Sequence, residues 1–163
     1  MPAKQYKTAD LFDEYGYALS ICDPVFTDYG GSTVFHGAVR TVKCFEDNSR
    51  VRQMLQQTVQ GDVLVVDAGG SLRCAMLGDQ LAQLAVDNGW AGVVMYGCIR
   101  DAEEISAMPF GVKALATHPA KSRKNDVGEM DIPVTFAGVK FVPGSYLYAD
   151  RDGIVVSETA LTS

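Results

Sequence analysis

An α/β fold in a single domain, a mixed sheet with helices packed on it, is what this chain of 163 residues predicts. Three observations carry that expectation. Val63-Leu64-Val65-Val66 is an uninterrupted apolar run, the pattern of a strand covered on both faces. A helical repeat of apolar residues follows it, and then a second buried run, Gly92-Val93-Val94-Met95-Tyr96, completes a strand–helix–strand unit that is right-handed by the general rule for parallel crossovers. Beyond residue 131, short alternating segments separated by turn signals give the chain an antiparallel end.

The elements follow in order. Thr8 precedes Ala9-Asp10-Leu11-Phe12-Asp13-Glu14-Tyr15, a short helix pattern with Thr8 as its N-cap and Gly16 placed to end it. A loop holding Asp23-Pro24 and Gly30-Gly31 comes next. Residues 38–45 alternate and are rich in β-branched side chains, which predicts a strand, and residues 48–57 read as a polar helix. Leu81, Leu84 and Ala85 fall at helical spacing after Gly78-Asp79, and Gly89 can end that helix. A short helix over 102–107 leads to a strand over 113–117, and residues 118–131, polar and turn-rich, read as an exposed loop. Strands at 134–136, 139–141, 146–148 and 154–156 are punctuated by Ala137-Gly138, Pro143-Gly144 and Asp152-Gly153. With no internal repeat and no linker, residues 1–163 read as one domain.

Composition bounds the function. With 47% hydrophobic residues, a chain of this length buries enough surface to fold without a metal or disulfide staple. Fourteen Lys+Arg against twenty Asp+Glu leave a net charge of -6, the wrong sign for neutralising phosphates, so no direct nucleic-acid partner is expected. The apolar runs fall far short of the roughly 20 residues that span a bilayer, and MPAKQYKTAD has no signal-peptide core, so a cytoplasmic protein without membrane contact is expected. Cys22, Cys44, Cys74 and Cys98 form no CxxC pair, and they read as reduced, buried thiols.

In open α/β sheets, ligands bind beyond the carboxyl ends of the strands, and here two buried strands end at Asp67-Ala68-Gly69-Gly70 and at Gly97-Cys98-Ile99-Arg100-Asp101. The first loop lacks the third glycine of a dinucleotide fingerprint and the GK[ST] of a P-loop, so nucleotide or S-adenosylmethionine binding is not supported. Asp79 alone is a plain N-cap, with the Gln80 and Leu81 amides exposed for an anion. Asp101 with Glu104 resembles a capping box. Combined, an Arg and an Asp at one strand end, a second Asp at a helix start and a Gly-rich loop supply a cation, two hard-oxygen ligands and an anion-binding backbone. That set suits Mg²⁺ or Mn²⁺ with a 2-oxo acid as guest, its enolate stabilised by the metal and a guanidinium. His36 and His118 lack metal-ligand spacing and read as structural or surface residues. Lys121, Arg123 and Lys124 read as a solvated loop face or a contact for an acidic ligand or partner. No GxSxG elbow is present.

At these residues the chain resembles the family of the regulator of ribonuclease E activity A (RraA), which includes divalent-metal-dependent 4-hydroxy-4-methyl-2-oxoglutarate aldolases. The likeness runs almost end to end, through residues 41–48, 65–71, Leu77-Gly78-Asp79, Tyr96-Gly97-Cys98-Ile99-Arg100-Asp101 and Tyr148-Ala149-Asp150. The aldolase signature of that family is an Asp, twenty residues, then Arg-Asp with an acidic residue three places on, met here by Asp79, Arg100, Asp101 and Glu104.

The resemblance implies that Asp101 ligates the metal, that Asp79 holds a metal-bound water, that Glu104 stands in the outer shell, and that Arg100 stabilises a pyruvate enolate. Gly78, Asp79, Gln80 and Leu81 would hold the substrate carboxylate. It further implies a compact α/β/β sandwich like the swivelling phosphohistidine domain, a homotrimer or hexamer with sites between subunits, oxaloacetate decarboxylation as a second activity, and ribonuclease E as an alternative partner. By the same likeness the chain, ending at Ser163, lacks the C-terminal extension that lends a neighbouring subunit's Glu in longer aldolases. Pro143-Gly144-Ser145 stands where many relatives read Pro-Gly-Asp, a change to which the sequence assigns no role.

Overall fold

The computed structural model describes residues 6–161; the N-terminal residues 1–5 used to judge the absence of a signal segment, and the chain end at Ser163, lie outside that range. In order, the elements are α1 (Thr8–Tyr15), β1 (Ser20–Ile21), β2 (Thr27–Asp28), β3 (Phe35–Lys43), α2 (Ser49–Leu55) and β4 (Val63–Asp67). They continue with β5 (Ala75–Leu77), α3 (Asp79–Asp87), β6 (Gly92–Ile99), α4 (Ala102–Ser106) and β7 (Gly111–Thr117). The chain then forms β8 (Glu129–Met130), β9 (Val134–Phe136), β10 (Val139–Phe141), β11 (Tyr146–Asp150) and β12 (Gly153–Ser157).

Strands β3, β4, β6 and β7 lie side by side in parallel, with registers Val39↔Val63, Val63↔Gly92 and Gly92↔Gly111. Each step is bridged by a helix, and because the strands advance in one direction the three helices share one face. Val51, Met54 and Leu55 of α2, Leu81, Ala82 and Ala85 of α3, and Ile105 of α4 pack there on Val42, Leu64, Val66, Val93 and Met95. The alternate residues Val39, Val63, Val65 and Val94 face the other way, onto Phe136, Phe141, Leu147, Ile154 and Val156. Apolar layers on both faces explain why these strands do not alternate polar and apolar residues. A helix layer, a parallel sheet and an antiparallel layer make the α/β/β sandwich.

One strand joins the two sheet layers. Residues 35–38 of β3 pair antiparallel with β11, while residues 39–43 pair parallel with β4. The change of partner falls beside Gly37, where a Cβ would overlap the carbonyl oxygen of Gly61. The strand therefore starts three residues before the predicted 38 and ends at Lys43, leaving Phe45 exposed beyond it.

Three local expectations need correction. Thr8 is not the cap of α1: Lys7 occupies the N-cap position without a side-chain bond, and Asp150 supplies the acceptors instead. Its Oδ2 accepts from the Thr8 amide at 2.8 Å and its Oδ1 from the Thr8 hydroxyl at 2.6 Å. The segment with Asp23-Pro24 is more than loop, since β1 pairs with β12 and β2 with β7 at the sheet edges. Residues 118–131 are pinned rather than free, through β8 on β3 and bridges from Lys121 to Ala75 and from Arg123 to Asp47. Among the described residues no helix is long and apolar enough to cross a membrane.

Candidate active site

The short strand β5, absent from the sequence reading, positions the site. It pairs with the end of β6 through Ala75↔Cys98 and Leu77↔Ile99, and the Arg100 amide extends that pairing by donating to the Leu77 carbonyl at 2.9 Å. Arg100-Asp101 is thereby brought against Gly78 and the first turn of α3. Asp101 adopts a left-handed backbone conformation, φ 57° and ψ 43°. In that conformation its side chain turns away from α4, which it precedes, and Oδ2 accepts from the Asp79 amide at 2.9 Å.

The capping expectations are thus reassigned. Gly78, not Asp79, is the N-cap residue of α3, and the carboxylate serving its first amide comes from Asp101. Asp101 and Glu104 form no capping box, because Asp101 sits at the N-cap position of α4 without a side-chain bond to it. The Asp79 carboxylate has no hydrogen bond or ion pair among the described residues, so its oxygens remain available.

Gly78, Asp79, Gln80, Leu81, Arg100 and Asp101 all line one cavity of about 610 Å³. Glu104 does not; it is exposed on α4, outside that lining, because the helix turns it to solvent. The Asp67–Gly70 loop does not line it either. Gly69 and Gly70, both at positive φ, make a turn packed under Phe45 and Tyr96, while Ser71 Oγ and Arg73 Nε each donate to Glu46 Oε2 at 2.7 Å. Of the two backbone segments expected to receive an anion, the start of α3 lines the cavity and the Asp67–Gly70 loop does not.

Two further walls complete the cavity, one that the sequence reading did not offer and one, the loop with Lys121 and Lys124, that it read as a solvated face or an acidic-ligand contact. The polar face of α2 contributes Ser49, Arg52 and Gln53, with its caps Asn48 and Gln56, and the loop after β7 contributes Lys121, Ser122, Lys124 and Asp126. Polar residues at helical spacing read as a solvated face, and only their position beside β5 makes them a cavity wall. Asp47 ties both walls together. Only 3% exposed, it accepts from the Ser49 amide at 3.0 Å and from the Asn125 amide at 2.6 Å. Burial pushes its carboxyl up, but these backbone hydrogen bonds outweigh that and hold it below the usual carboxylate range. The loop is further fixed by Arg123 N–H donating to the Glu46 carbonyl and Ala75 N–H donating to the Ala120 carbonyl. Arg100 Nη1 donates to the Pro119 carbonyl at 3.3 Å, so the loop also orients the guanidinium.

The donor set fits a hard divalent cation. Asp79 and Asp101 both border the cavity, and a Cβ on Gly78 would stand 2.8 Å from Asp101 Oδ2, so the absence of a side chain there leaves the carboxylate room. Among the described residues no three His, Cys, Asp or Glu side chains gather into a closed metal cage. One or two carboxylates with water completing the shell is the manner of Mg²⁺.

The remaining candidates are structural. His36 stacks on Tyr148, and its Tyr6 contact is edge-on, while His118 Nδ1 accepts from the Ala120 amide. All four cysteines are buried free thiols, and burial pushes Cys22 and Cys44 up to about 12. Ser145 now has a role: its hydroxyl donates to the Val142 carbonyl at 2.6 Å, closing the turn before β11.

The RraA-like family model, described as Aldolase/RraA, matches residues 8–156. A protein of Laribacter hongkongensis (strain HLHK9) named "Putative 4-hydroxy-4-methyl-2-oxoglutarate aldolase" is 56% identical over 156 residues, covering 96% of this chain and 98% of that relative. A Pseudomonas fluorescens (strain Pf0-1) protein of the same name is 50% identical, with 96% of each chain covered. Among solved structures, that of "the RNA-processing inhibitor RraA from Thermus thermophilis" superposes with a TM-score of 0.94 at 44% identity, covering 98% of this chain and 97% of that one. A Geobacillus kaustophilus HTA426 structure described as an S-adenosylmethionine:2-dimethylmenaquinone methyltransferase gives the same TM-score of 0.94 at 50% identity, covering 96% and 97%.

Proposed function

This chain belongs to the RraA-like family, and on that footing we propose that it is a divalent-metal-dependent lyase of 2-oxo acids. Its proposed reactions are the retro-aldol cleavage of 4-hydroxy-4-methyl-2-oxoglutarate to two molecules of pyruvate, and the decarboxylation of oxaloacetate. The observation that carries this reading is the meeting of Asp79, Arg100 and Asp101 in one cavity, with Asp101 bonded to the first amide of α3.

In this reading Asp101 would hold the Mg²⁺ or Mn²⁺ and Asp79 would hold a water bound to it. When bound, the cation supplies Lewis-acid polarisation of the substrate's keto group. The amides at Gln80 and Leu81, with Gly78 leaving space, receive the C1 carboxylate at the positive end of α3. Asp79 accepts the proton of the C4 hydroxyl through water as the C3–C4 bond breaks. The electron pair of that bond moves into C2–C3, and the negative charge on the C2 oxygen is met by the Arg100 guanidinium. Protonation at C3 then yields pyruvate. In oxaloacetate the C3–C4 bond breaks with loss of CO₂, and the same enolate is protonated. Glu104 is left out of this scheme. A homotrimer or hexamer is part of the proposal, supported by membership of the RraA-like family.

The test is pyruvate release from oxaloacetate with Mg²⁺, with and without EDTA. Turnover that chelator abolishes is expected, and Arg100→Ala or Asp101→Ala should lower kcat by about 100-fold or more with the fold retained. Absent or chelator-insensitive turnover would overturn the reading.

A second reading is a protein regulator that binds and inhibits ribonuclease E. The net charge of -6 favours it, since an acidic surface suits a basic RNA-binding partner, as does the description of the Thermus structure. A pull-down at moderate salt with no ribonuclease E retained would remove it.

A further inference from the structure

The strap that follows β7 crosses the point where Arg100 leaves β6. The His118 amide donates to the Ile99 carbonyl at 2.9 Å, and two residues later the Ala120 carbonyl accepts from the Ala75 amide of β5 at 2.7 Å. Residues 118–120 therefore run from one neighbour of β6 to the other, since β5 and β7 both pair with its end, through Leu77↔Ile99 and Ile99↔Thr117. Pro119, in the middle, has no N–H and a φ fixed by its ring. What is left to set is the rotation of the peptide plane between Pro119 and Ala120.

Both edges of that plane are held by side chains. Its N–H, on Ala120, donates to His118 Nδ1 at 3.1 Å. Its C=O, on Pro119, accepts from Arg100 Nη1 at 3.3 Å. The peptide is trans and planar, with N–H and C=O on opposite sides, so a partner that fixes the N–H also fixes where the oxygen points. The imidazole accepts from the residue two places on, as Asn and Asp side chains do in turns. Among the described residues the Arg100 side chain makes no ion pair and no other hydrogen bond, so this oxygen is the protein acceptor that orients the guanidinium.

Resting on the lyase reading above, we infer that His118 is a positioning residue. By holding the Ala120 N–H it aims the Pro119 carbonyl, and through it the Arg100 guanidinium, at the place where the enolate oxygen forms. In this role His118 acts without touching substrate or metal. The reaction needs only the acceptor lone pair at Nδ1, which a neutral imidazole protonated at Nε2 supplies and an Asn Oδ1 can replace. A misaimed guanidinium leaves the ground-state complex nearly intact and fails to meet the charge that develops later.

Oxalate, a planar dianion with the shape and charge of pyruvate enolate, reads the aim of Arg100 without any reaction. It is titrated calorimetrically onto the full chain with Mg²⁺, and oxaloacetate turnover is followed in parallel. His118→Phe keeps a ring and removes the acceptor; it should lower kcat about tenfold with KM within about threefold, and weaken oxalate binding about tenfold. His118→Asn should restore both to within about threefold of the unmodified chain. In an Arg100→Ala background, His118→Phe should change oxalate affinity by less than about twofold, because the imidazole acts through the guanidinium. His118 is half-buried, a melting curve checks that each variant is folded, and His118→Leu replaces His118→Phe where the larger ring is not accommodated. Unchanged oxalate binding in a folded variant without the acceptor, losses that add to those of Arg100→Ala, or no rescue by Asn overturns the inference. Chelator-sensitive oxaloacetate turnover by the unmodified chain would then leave the lyase reading standing. The full pattern in oxalate binding without oxaloacetate turnover would instead overturn the lyase reading and leave the positioning role standing. Absence of any Mg²⁺-dependent oxalate binding together with absence of turnover would overturn both.

Discussion

Asp101 shows how one residue can serve two demands. A non-glycine residue in the left-handed region is disfavoured by roughly 1 kcal/mol, and Asp and Asn tolerate it better than others because their short polar side chains bond locally. Here the φ of 57° aims the carboxylate at the Asp79 amide and into the cavity instead of along α4. Conformation and charge can therefore be separated by substitution. Asp101→Asn should keep the backbone conformation and the bond to Asp79, changing stability by less than about 1 kcal/mol, yet lose the charge that holds a cation. Asp101→Ala should lose both, with an added destabilisation of about 1 kcal/mol from the left-handed backbone. Urea unfolding compared with Mg²⁺ titration distinguishes them. If Asp101→Asn bound Mg²⁺ as tightly as the unmodified chain, the carboxylate would not be the ligand.

The elements differ in how openly the sequence announces them. The strands over 63–67 and 92–99 were readable because burial on both faces demands continuous apolar runs, and β9 and β10 matched their predicted bounds because Ala137-Gly138 forces a tight reversal. Two-residue strands such as β1, β2 and β8 carry no period, and β5 is a three-residue strand whose pairing depends on a register shift in β6. The path of β3 from one layer into the other depends on contact with Gly61, distant in the chain, which no local pattern encodes. Asp79, Arg100 and Asp101 were legible as a set through their places at a helix start and a strand end, whereas for Lys121 and Lys124 the sequence left a solvated face and a ligand contact open, because charge exposed to water and charge facing a cavity look alike in sequence. The β9–β10 turn offers a direct test of element-level reasoning. Ala137 and Gly138 both have positive φ, 51° and 75°, the signature of a type I′ turn. Ala is poorly suited to the first position, where Asn is preferred. Ala137→Asn should raise stability by about 0.5–1 kcal/mol, or roughly 1–4 °C in Tm, with 2-oxo acid turnover unchanged. A drop in Tm would mean that the neighbouring Asp23, whose amide bonds the Ala137 carbonyl, constrains the turn more than its backbone angles do.

At the scale of the whole molecule, ionisable groups tie distant segments together and set a pH window for the fold. Asp131 receives two hydrogen bonds from Arg40, at 3.0 and 2.8 Å, and this pairing holds its carboxyl low. Asp150 is pushed up by burial but pulled further down by its bonds from Thr8, which join α1 to β11. Asp47 joins α2 to the cavity loop in the same manner. A carboxylate held low in the folded state binds fewer protons than it does unfolded, so its stabilisation is complete above about pH 4 and is lost as the pH falls through the lowered value. The thiols act at the other end. Cys22 and Cys44 stay protonated to about 12 when folded, whereas the unfolded chain ionises them near 8.5. Their contribution is complete below about pH 8.5 and declines as the pH rises toward 12. The melting temperature should therefore be highest between about pH 5 and 8 and fall on both sides. Asp150→Ala removes both acceptors from Thr8 and should cost about 2 kcal/mol at pH 7, or roughly 4–8 °C. Because the unmodified chain loses the same charge in acid, the gap between the two melting curves should narrow progressively below about pH 4. A gap of constant size from pH 7 to pH 2 would show that Asp150 stabilises α1 by packing and not by its charge.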